Sequence, residues 1–191
     1  VKAGICEVTV ASPFTSSMFF ILNNNKTSLR PIFNYGHMTK YFTTPHFNLP
    51  SLYQVIEKYN WEPNMYYAKI DFSQAFFNIN VHEKSKHVTN IKLGDTYYKF
   101  NYMPFGMSLA PFVCQQILNS IMKYIRETVK CAWGHIDDII LAHESAPFLR
   151  NFIVKLLYKL SRAKWVINAK KSVLNPVKEI KFLGALWGQT A

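Results

Sequence analysis

Apolar and polar residues along the chain follow the two periods expected of strands and helices. The clearest strand pattern is a pair of apolar runs on either side of the polar loop 23–28, which is typical of a hairpin. A second hairpin is predicted at 88–100, with its turn at Gly94-Asp95. The predicted strands are 17–22, 29–35, 66–70, the two arms of 88–100, 131–136, 139–142, 165–167 and 180–187, with a turn at Asn175-Pro176 before the last.

Three helices are predicted from capping residues and apolar spacing. Ser51 followed by Gln54 forms a capping box at the start of the first helix. The second is predicted from Ser108 to about residue 129, with Pro111 in its first turn. The third begins at Ser145, and its wide apolar stripe consists of Phe148, Leu149, Phe152, Ile153, Leu156, Leu157 and Leu160.

This order of elements predicts an α+β fold in one continuous domain, an antiparallel sheet with helices packed on one face. A chain of 191 residues buries ~70% of its unfolded surface, so a sizeable core is available. A hydrophobic content of 49% excludes a disordered chain. We expect the sheet's other face to be free for a ligand and to be made polar by lysines.

The charge balance indicates a polyanionic partner. The chain has 22 Lys and Arg against 11 Asp and Glu, which gives a net charge of +11, and such a footprint attracts nucleic acid. The aromatic content of 16% suits base stacking as well as an ordinary core. A solvated lysine surface without a ligand is the alternative interpretation.

Several classes of protein are excluded. The three cysteines, Cys6, Cys114 and Cys131, form no C-x-x-C pair and indicate neither a disulfide framework nor a zinc site. His82-Glu83 and His87 do not have the H-E-x-x-H spacing, and no Gly-rich phosphate loop occurs. Apolar runs are far shorter than the ~20 residues that span a bilayer, so we expect no membrane partner.

Acidic residues follow apolar strands at two places. Asp71 comes directly after the strand 66–70, and Asp137-Asp138 lies between two apolar stretches. An adjacent acidic pair in such surroundings needs a positive partner, although Asp is also a favoured residue of hairpin turns. Two Mg²⁺ ions about 3.5–4 Å apart, held by carboxylates from separate strands, would explain all three residues.

Six motifs in one order resemble the fingers and palm of a reverse transcriptase, the RNA-directed DNA polymerase of retroelements and reverse-transcribing viruses, over almost the whole chain. The closest likeness is to long-terminal-repeat and tyrosine-recombinase retroelements, with a hepadnavirus-like pattern at 103–112. The motifs are Leu29-Arg30-Pro31-Ile32, Asp71-Phe72-Ser73-Gln74-Ala75-Phe76-Phe77, Met103-Pro104-Phe105-Gly106-Met107-Ser108-Leu109-Ala110-Pro111-Phe112, His135-Ile136-Asp137-Asp138, Ile167-Asn168-Ala169-Lys170-Lys171-Ser172 and Phe182-Leu183-Gly184.

The resemblance implies a catalytic and metal-binding set. Asp71, Asp137 and Asp138, with Phe72 through its backbone, would bind two Mg²⁺ ions, with Mn²⁺ as a substitute. Lys171 matches the lysine that protonates or neutralises the leaving pyrophosphate. The alternative interpretation of Lys171 is a solvated surface lysine. Lys170 could substitute for Lys171 in this role.

The resemblance also implies how dNTP is bound. Arg30 and Lys26 would pair with phosphate oxygens, and backbone N–H groups from Phe72 to Phe76 would face the triphosphate. The dNTP-binding residues implied are Lys26, Arg30, Gln74, Ala75, Phe76, Phe105 and Gly106. Phe76 would lie beneath the sugar and exclude a 2′-hydroxyl, and Gly106 would let the backbone approach the nucleotide; a core aromatic and an ordinary loop glycine are the alternatives.

The primer and template residues implied are His135, Ile136, Phe182, Leu183 and Gly184. Some positions depart from the family pattern. His135 replaces the usual Tyr or Phe before the acidic pair, and Asn34 and Gly36 replace Asp and Arg after the fingers arginine. Asparagines 23–25 stand where lysines are usual.

The predicted function is therefore RNA-directed DNA polymerase, extending a primer with dNTPs on an RNA or DNA template. The alternatives are a non-catalytic nucleic-acid-binding remnant and an RNA-dependent RNA polymerase. Fingers are expected at about 1–62 and 84–101 and palm at about 63–83 and 102–191. We expect a piece of a longer polyprotein without thumb or RNase H, located in the cytoplasm, in a virus-like particle or in the nucleus.

Overall fold

The computed structural model describes residues 3–22, 28–43, 45–58, 61–62 and 64–188. The strands are β1 (Cys6–Thr9), β2 (Ser16–Leu22), β3 (Leu29–Asn34), β4 (Tyr66–Asp71), β5 (Ile91–Leu93), β6 (Thr96–Phe100), β7 (Cys131–His135), β8 (Asp138–His143), β9 (Val173–Val177), β10 (Glu179–Phe182) and β11 (Ala185–Gly188). The α-helices are α1 (Leu52–Lys58), α2 (Ala110–Thr128) and α3 (Ala146–Arg162), and 3-10 helices cover Gly36–Tyr41, Ala75–Asn78 and Glu83–Thr89.

The chain forms two compact units. The first comprises residues 1–46 and 76–113, and the second comprises residues 47–75 and 114–191. The α+β class is confirmed, because every pairing between the described strands except β2–β5 is antiparallel, whereas βαβ repeats join parallel strands.

A five-stranded sheet in the order β1-β6-β5-β2-β3 forms the first unit. All neighbours are antiparallel except β2 and β5, which pair in parallel. Its core consists of Phe33, Tyr35, Met38, Ile91, Phe100, Met107 and Ala110. The buried Tyr35 hydroxyl donates to the carbonyl oxygen of Thr89 at 2.8 Å, so the polar tip of this core tyrosine has a partner.

The second unit contains an antiparallel sheet in the order β7-β8-β4-β9 and a separate β10–β11 hairpin. Helix α3 packs against β4, β8 and β9. A Cβ at Gly134 on β7 would meet Leu118 and Met122 of α2, so α2 lies on the face that also carries Ile139, which pairs with Gly134. Helix α2 thus covers one face of the predicted antiparallel sheet, whereas Val55 of α1 packs on the opposite face.

The opposite face of this sheet was predicted to be free and polar. This is wrong for most of its length, because apolar residues cover it. Tyr67, Trp133 and Ile140 of this face belong to an apolar cluster with Val55 of α1 and with the β10–β11 hairpin. The hairpin contributes Ile180, Phe182 and Trp187 to the cluster. Asp71, Asp138 and His135 lie at one end of this face, next to Lys69.

Most predicted elements are confirmed, including both hairpins and the Ser51 capping box, whose amide donates to Gln54 Oε1 at 2.9 Å. Ser145 also caps α3 as predicted, accepting from the Phe148 amide. The first arm of the second hairpin begins at Ile91, because a 3-10 helix occupies Glu83–Thr89.

Three predictions near the C-terminal end were wrong. The segment 165–167 is not a strand, because Ile167 forms just one bridge, to Phe72. Asn175-Pro176 is not a turn but part of β9, an edge strand that pairs with β4 across a register shift and so tolerates proline. The single strand at 180–187 is two strands, because Leu183 and Gly184 adopt φ values of 50° and 77° and reverse the chain.

Among the described residues, none of the helices combines the length and the apolar character needed to cross a membrane.

A prediction concerns the close packing of β7 on α2. A Cβ at Gly134 would lie 2.9 Å from side-chain carbons of both Leu118 and Met122, whose side chains are buried. We expect Gly134→Ala to lower the free energy of unfolding by about 1–3 kcal/mol through overpacking, as measured by urea denaturation. In a Leu118→Val background, which makes room for the methyl group, the penalty should be smaller; an equal penalty would contradict this explanation.

Candidate active site

The acidic residues of the second unit meet at the ends of two paired strands. Asp71 ends β4, Asp138 begins β8, and the two are directly opposite each other in the ladder. Asp71 is buried, with 7% of its surface exposed, whereas Asp137 is exposed in the turn between β7 and β8. The backbone positions of these three residues therefore lie together, in one hairpin and one neighbouring strand.

The turn that carries Asp137 has an unusual backbone. His135 pairs with Asp138, which leaves Ile136 and Asp137 as a two-residue loop. Ile136 has a φ of 54°, a region that β-branched residues rarely adopt, and the Asp137 amide donates to the carbonyl oxygen of His135 at 2.7 Å. Strain of this kind persists where surrounding contacts hold it.

Helix α2 supplies those contacts through Gln115, which is 4% exposed. Its Oε1 accepts the Ile136 amide at 2.8 Å, and its Nε2 donates to the carbonyl oxygen of Gly134 at 3.1 Å. The neighbouring Cys114 thiol donates to the carbonyl oxygen of Ile136 at 3.2 Å. Two consecutive side chains of α2 therefore hold both polar backbone groups of Ile136.

Burial, with a smaller effect from Asp137, raises the pKa of the Cys114 thiol to about 12. At neutral pH the thiol therefore keeps the proton that it donates to Ile136, and Cys114 is a structural hydrogen-bond donor rather than a reactive thiolate.

The backbone after β4 is tied to the same turn. The Phe72 amide donates to the carbonyl oxygen of Asp137 at 2.8 Å, and the Phe72 ring packs on Trp165 at 4.6 Å between centroids. The Ser73 amide donates to the carbonyl oxygen of Val166. The expectation that backbone amides from Phe72 onward face a triphosphate is thus wrong for Phe72 and Ser73, because both amides are engaged within the unit.

The loop that carries Lys171 is anchored on Asp71. The Asn168 amide donates to the carbonyl oxygen of Asp71 at 2.8 Å, and the Asp71 amide donates to Ser172 Oγ at 2.9 Å. The amides of Lys171 and Ser172 both donate to the carbonyl oxygen of Asn168, which closes the loop. Lys171 itself is exposed. It therefore lies on a loop that is hydrogen-bonded to the backbone of the buried Asp71.

A lysine that the sequence analysis did not single out lies beside the carboxylates. Lys69 Nζ is 3.4 Å from Asp138 Oδ1, and the two side chains are 17% and 20% exposed. Asp138 Oδ1 is buried and accepts no hydrogen bond from the residues that the structure describes. The contact with Lys69 is therefore an ion pair rather than a hydrogen bond.

Asp138 is the carboxylate whose ionisation the site perturbs most clearly. Burial raises its pKa from the ordinary 3.8 to about 6, Lys69 opposes this rise, and Asp137 and Asp71 add to it. The negative charges of the three residues therefore disfavour one another, and a cation among them would favour the ionised form.

His135 lies on the same face as Asp138 and Trp133. Burial lowers its pKa, while Asp137 acts in the opposite direction. Its Nδ1 is buried and makes no hydrogen bond to any described part of the chain. The ring is therefore neutral at physiological pH and presents a nitrogen without a protein partner.

The donor chemistry of this site fits a hard divalent cation, since carboxylate oxygens are the ligands that Mg²⁺ prefers, and Asp138 Oδ1 is a buried oxygen without a hydrogen bond. As they stand, however, no three His, Cys, Asp or Glu side chains of the described residues are grouped closely enough to hold a metal ion. The carboxylate oxygens of these residues suit magnesium, and one of the carboxylates, that of Asp138, is paired with Lys69.

The residues predicted to bind the nucleotide belong to the first unit, apart from Gln74 and Ala75. Arg30 is exposed on β3. Phe76 is half-buried against Phe105, with ring centroids 5.0 Å apart. Lys26 lies outside the described residues. Gln74 has a φ of 50°, and Ala75 is buried at the start of its 3-10 helix.

Contacts within the first unit require glycine at position 106. Its φ is 90°, and a Cβ there would collide with the carbonyl oxygen of Phe33. A backbone reason for glycine therefore exists at this position.

The predicted primer residues Phe182, Leu183 and Gly184 do not form the strand expected from the motif. Phe182 ends β10 with its side chain in the apolar cluster, and its carbonyl oxygen accepts the Trp187 indole N–H at 3.0 Å. Leu183 and Gly184 form the turn between β10 and β11. The motif Phe182-Leu183-Gly184 therefore forms the end of a strand followed by a hairpin turn.

Sequence reasoning missed Gln115, Lys69 and Ser172. A signal existed for the first two. Gln115 is a polar residue at apolar helical spacing in α2, and Lys69 is a charged residue between the buried Ala68 and Ile70. Ser172 lies in the motif 167–172 but was given no role, because its partner Asp71 lies 101 positions away along the chain.

A first prediction from this geometry concerns Gln115. Gln115→Leu leaves the Ile136 amide and the Gly134 carbonyl oxygen buried without partners, so we expect a loss of about 2–4 kcal/mol in the free energy of unfolding. Urea denaturation measures the loss, and hydrogen exchange at 134–138 should accelerate. The matched control is Gln116→Leu at the adjacent exposed position; equal losses in the two variants would contradict the role of Gln115.

A second prediction concerns pH. Because the pKa of Asp138 is about 6 in the folded protein and 3.8 ordinarily, the folded state holds this proton more tightly. The wild type should therefore lose stability relative to Asp138→Asn as pH rises from about 4 to about 6, by ~1–3 kcal/mol in total. Thermal unfolding in EDTA between pH 4 and 7.5 measures the difference, and a constant difference across this range would refute the prediction.

Comparisons with known proteins point in one direction. Residues 18–186 match the family described as "Reverse transcriptase (RNA-dependent DNA polymerase)". The Transposon Tf2-7 polyprotein of Schizosaccharomyces pombe is 25% identical over 184 residues, which are 96% of this chain and 13% of that protein. The Tf2-3 polyprotein of the same organism is 26% identical over the same coverage. The chain thus spans about an eighth of the length of these relatives.

Solved structures show the same fold. The foamy viral protease-reverse transcriptase in complex with an RNA/DNA hybrid superposes with a TM-score of 0.84 at 19% identity, covering 99% of this chain and 24% of that one. A second structure of that foamy viral protein, with double-stranded DNA, gives a TM-score of 0.77 at 19% identity, covering 100% of this chain and 32% of that one. Because the family match extends across nearly all of both units, the chain belongs to the reverse transcriptase family.

Proposed function

We propose that this chain is the fingers and palm of an RNA-directed DNA polymerase, which adds dNTPs to a primer 3′-hydroxyl on an RNA or DNA template. The observation that carries the proposal is the placement of Asp71 and Asp138 at directly paired strand ends, with Asp137 in the adjoining turn. Family membership supports it. We further propose fingers at about 1–62 and 84–101 and palm at about 63–83 and 102–191; the compact units likewise separate the β2–β3 hairpin from the carboxylate strands.

Asp71, Asp137 and Asp138, together with the Phe72 carbonyl, are the proposed holders of two Mg²⁺ ions, or of Mn²⁺ as a substitute. When bound, these ions activate the attacking hydroxyl and stabilise the leaving pyrophosphate. The chain's own contribution is to hold the carboxylates in place before substrate arrives, through Gln115 on the turn and Ser172 on the Asp71 amide. Such preorganisation is what makes electrostatic catalysis effective.

The nucleotide and its leaving group are proposed to meet basic and aromatic residues. Arg30 and Lys26 bind phosphate oxygens, Gln74, Ala75, Phe105 and Gly106 contact the nucleotide, and Phe76 excludes a ribose 2′-hydroxyl. The packing of Phe76 on Phe105 supports this role, because it limits the ring's freedom to move aside. Lys171 neutralises or protonates the pyrophosphate, which its position next to the Asp71-anchored loop supports.

The primer end is proposed to meet His135 and Ile136, with Phe182, Leu183 and Gly184 on the far side. The foamy viral relative that binds an RNA/DNA hybrid and the net charge of +11 support a nucleic-acid partner held mainly through phosphates. The transposon relatives are polyproteins, so we propose that other polyprotein domains are partners of this one and that the complex works in the cytoplasm, in a virus-like particle or in the nucleus.

Primer extension on an RNA template tests the proposal, with this chain and with the longer polyprotein product that contains it. We expect Mg²⁺-dependent extension with dNTPs but not rNTPs, and a loss of about 100-fold or more in Asp137→Asn, because the site loses one of its three carboxylates. Asp137 is exposed in a turn, so this variant should remain folded, which circular dichroism checks.

The other outcomes separate the alternative functions. Salt-sensitive template binding without any extension would indicate a non-catalytic nucleic-acid-binding protein. Efficient extension with rNTPs would indicate an RNA polymerase and remove the proposed role of Phe76. Extension at the same rate in Asp137→Asn would refute the assignment of the carboxylate site.

A further inference from the structure

Lys69 is the feature of this site that family membership and the proposed function leave unexplained. It lies two positions before Asp71 on β4, so both side chains emerge on the same face of the sheet. In the ladder Lys69 pairs with Ile140 and Asp71 pairs with Asp138, which places Lys69 diagonally across from Asp138. Long side chains reach such diagonal neighbours, and Lys69 Nζ lies 3.4 Å from Asp138 Oδ1.

The surroundings of Lys69 are those of a core residue. Tyr67 and Asp71, its neighbours on the same face of β4, are 3% and 7% exposed, and its cross-strand partner Ile140 is fully buried. The Lys69 side chain is itself 17% exposed. An ammonium group in such a position is unfavourable unless a carboxylate accompanies it, so the placement indicates a specific partner rather than a solvated surface charge.

The carboxylates, in turn, need a positive charge close to them. Asp71 and Asp138 are opposite each other, Asp137 is next in the chain, and Asp138 Oδ1 has no hydrogen bond from any part of the chain that the structure describes. Three negative charges in one corner of a sheet destabilise the fold in the absence of a cation. Lys69 supplies a positive charge in contact with one of them, Asp138.

We propose that Lys69 is the built-in countercharge of the carboxylate site, which holds Asp138 when no metal is bound and competes with divalent cations for that carboxylate. The inference rests on the proposed function, since it assumes that the same carboxylates hold Mg²⁺. It makes Lys69 a positioning residue that acts through Asp138. The same lysine stabilises the metal-free site and weakens the binding of metal.

The inference requires two opposite changes when the charge is removed. Without the ammonium, the three carboxylates repel one another more strongly, so the metal-free protein becomes less stable. The site is also more negative by one charge, so a divalent cation binds more tightly. A lysine with a merely structural role would give the first change without the second.

Thermal unfolding during titration with MnCl₂ and MgCl₂, starting in EDTA, tests this. We expect Lys69→Met to have a lower Tm in EDTA and a half-saturating metal concentration about tenfold below that of the wild type. Lys69→Arg keeps the charge and should behave like the wild type in both respects. The matched control is Lys181→Met, which removes one charge from an exposed position on β10 of the same unit.

The outcomes distinguish failure of the inference from failure of the proposed function. If Asp71→Asn abolishes the wild type's metal-induced rise in Tm, the metal site stands, and an unchanged half-saturating concentration in Lys69→Met overturns the role of Lys69 alone. An equal shift in Lys181→Met would overturn it too, because net charge would then explain the effect. No metal response in the wild type would overturn the proposed metal site and this inference together.

Discussion

Repulsion between Asp71 and Asp138 is the constraint around which the second unit is built. The two carboxylates face each other across β4 and β8, where like charges directly opposite are destabilising. Six consecutive residue pairs hold the two strands together despite this repulsion, and the Phe72 amide adds a hydrogen bond to the Asp137 carbonyl oxygen. Rigidity of the backbone thus offsets an unfavourable arrangement of side chains that the proposed polymerase site requires.

Helix α2 also contributes to the rigidity of the backbone at the carboxylate site. The left-handed backbone of Ile136 lets the chain reverse in the two-residue loop Ile136-Asp137, and the buried Gln115 and Cys114 bind both polar backbone groups of Ile136. A buried amide side chain on an apolar helix face is expensive unless fully bonded. Here the Gln115 amide bonds to backbone groups that would otherwise lack partners. The buried side chain and the strained turn therefore satisfy each other's hydrogen-bonding groups.

The predictions that were wrong share a physical cause. Pro176 and Asn175 are turn residues by preference, yet they lie in β9 because an edge strand leaves one side of its backbone unpaired. Leu183 and Gly184 looked like strand residues because leucine rarely adopts a positive φ, yet they form a turn because β10 and β11 pair and bury Phe182 and Trp187. Pairing across space outweighed local preference in both cases.

The sequence by itself determined most of the elements, their order and the identity of the carboxylates, because apolar periodicity, capping residues and acidic residues after strands are local signals. Asp71, Asp137 and Asp138 could be singled out from neighbours within a few positions. The tertiary structure decided what surrounds them. Lys69 meets Asp138 across 69 positions of the chain, and Ser172 meets the Asp71 amide across 101. Such contacts depend on strand register, and no local pattern encodes the register of strands so far apart.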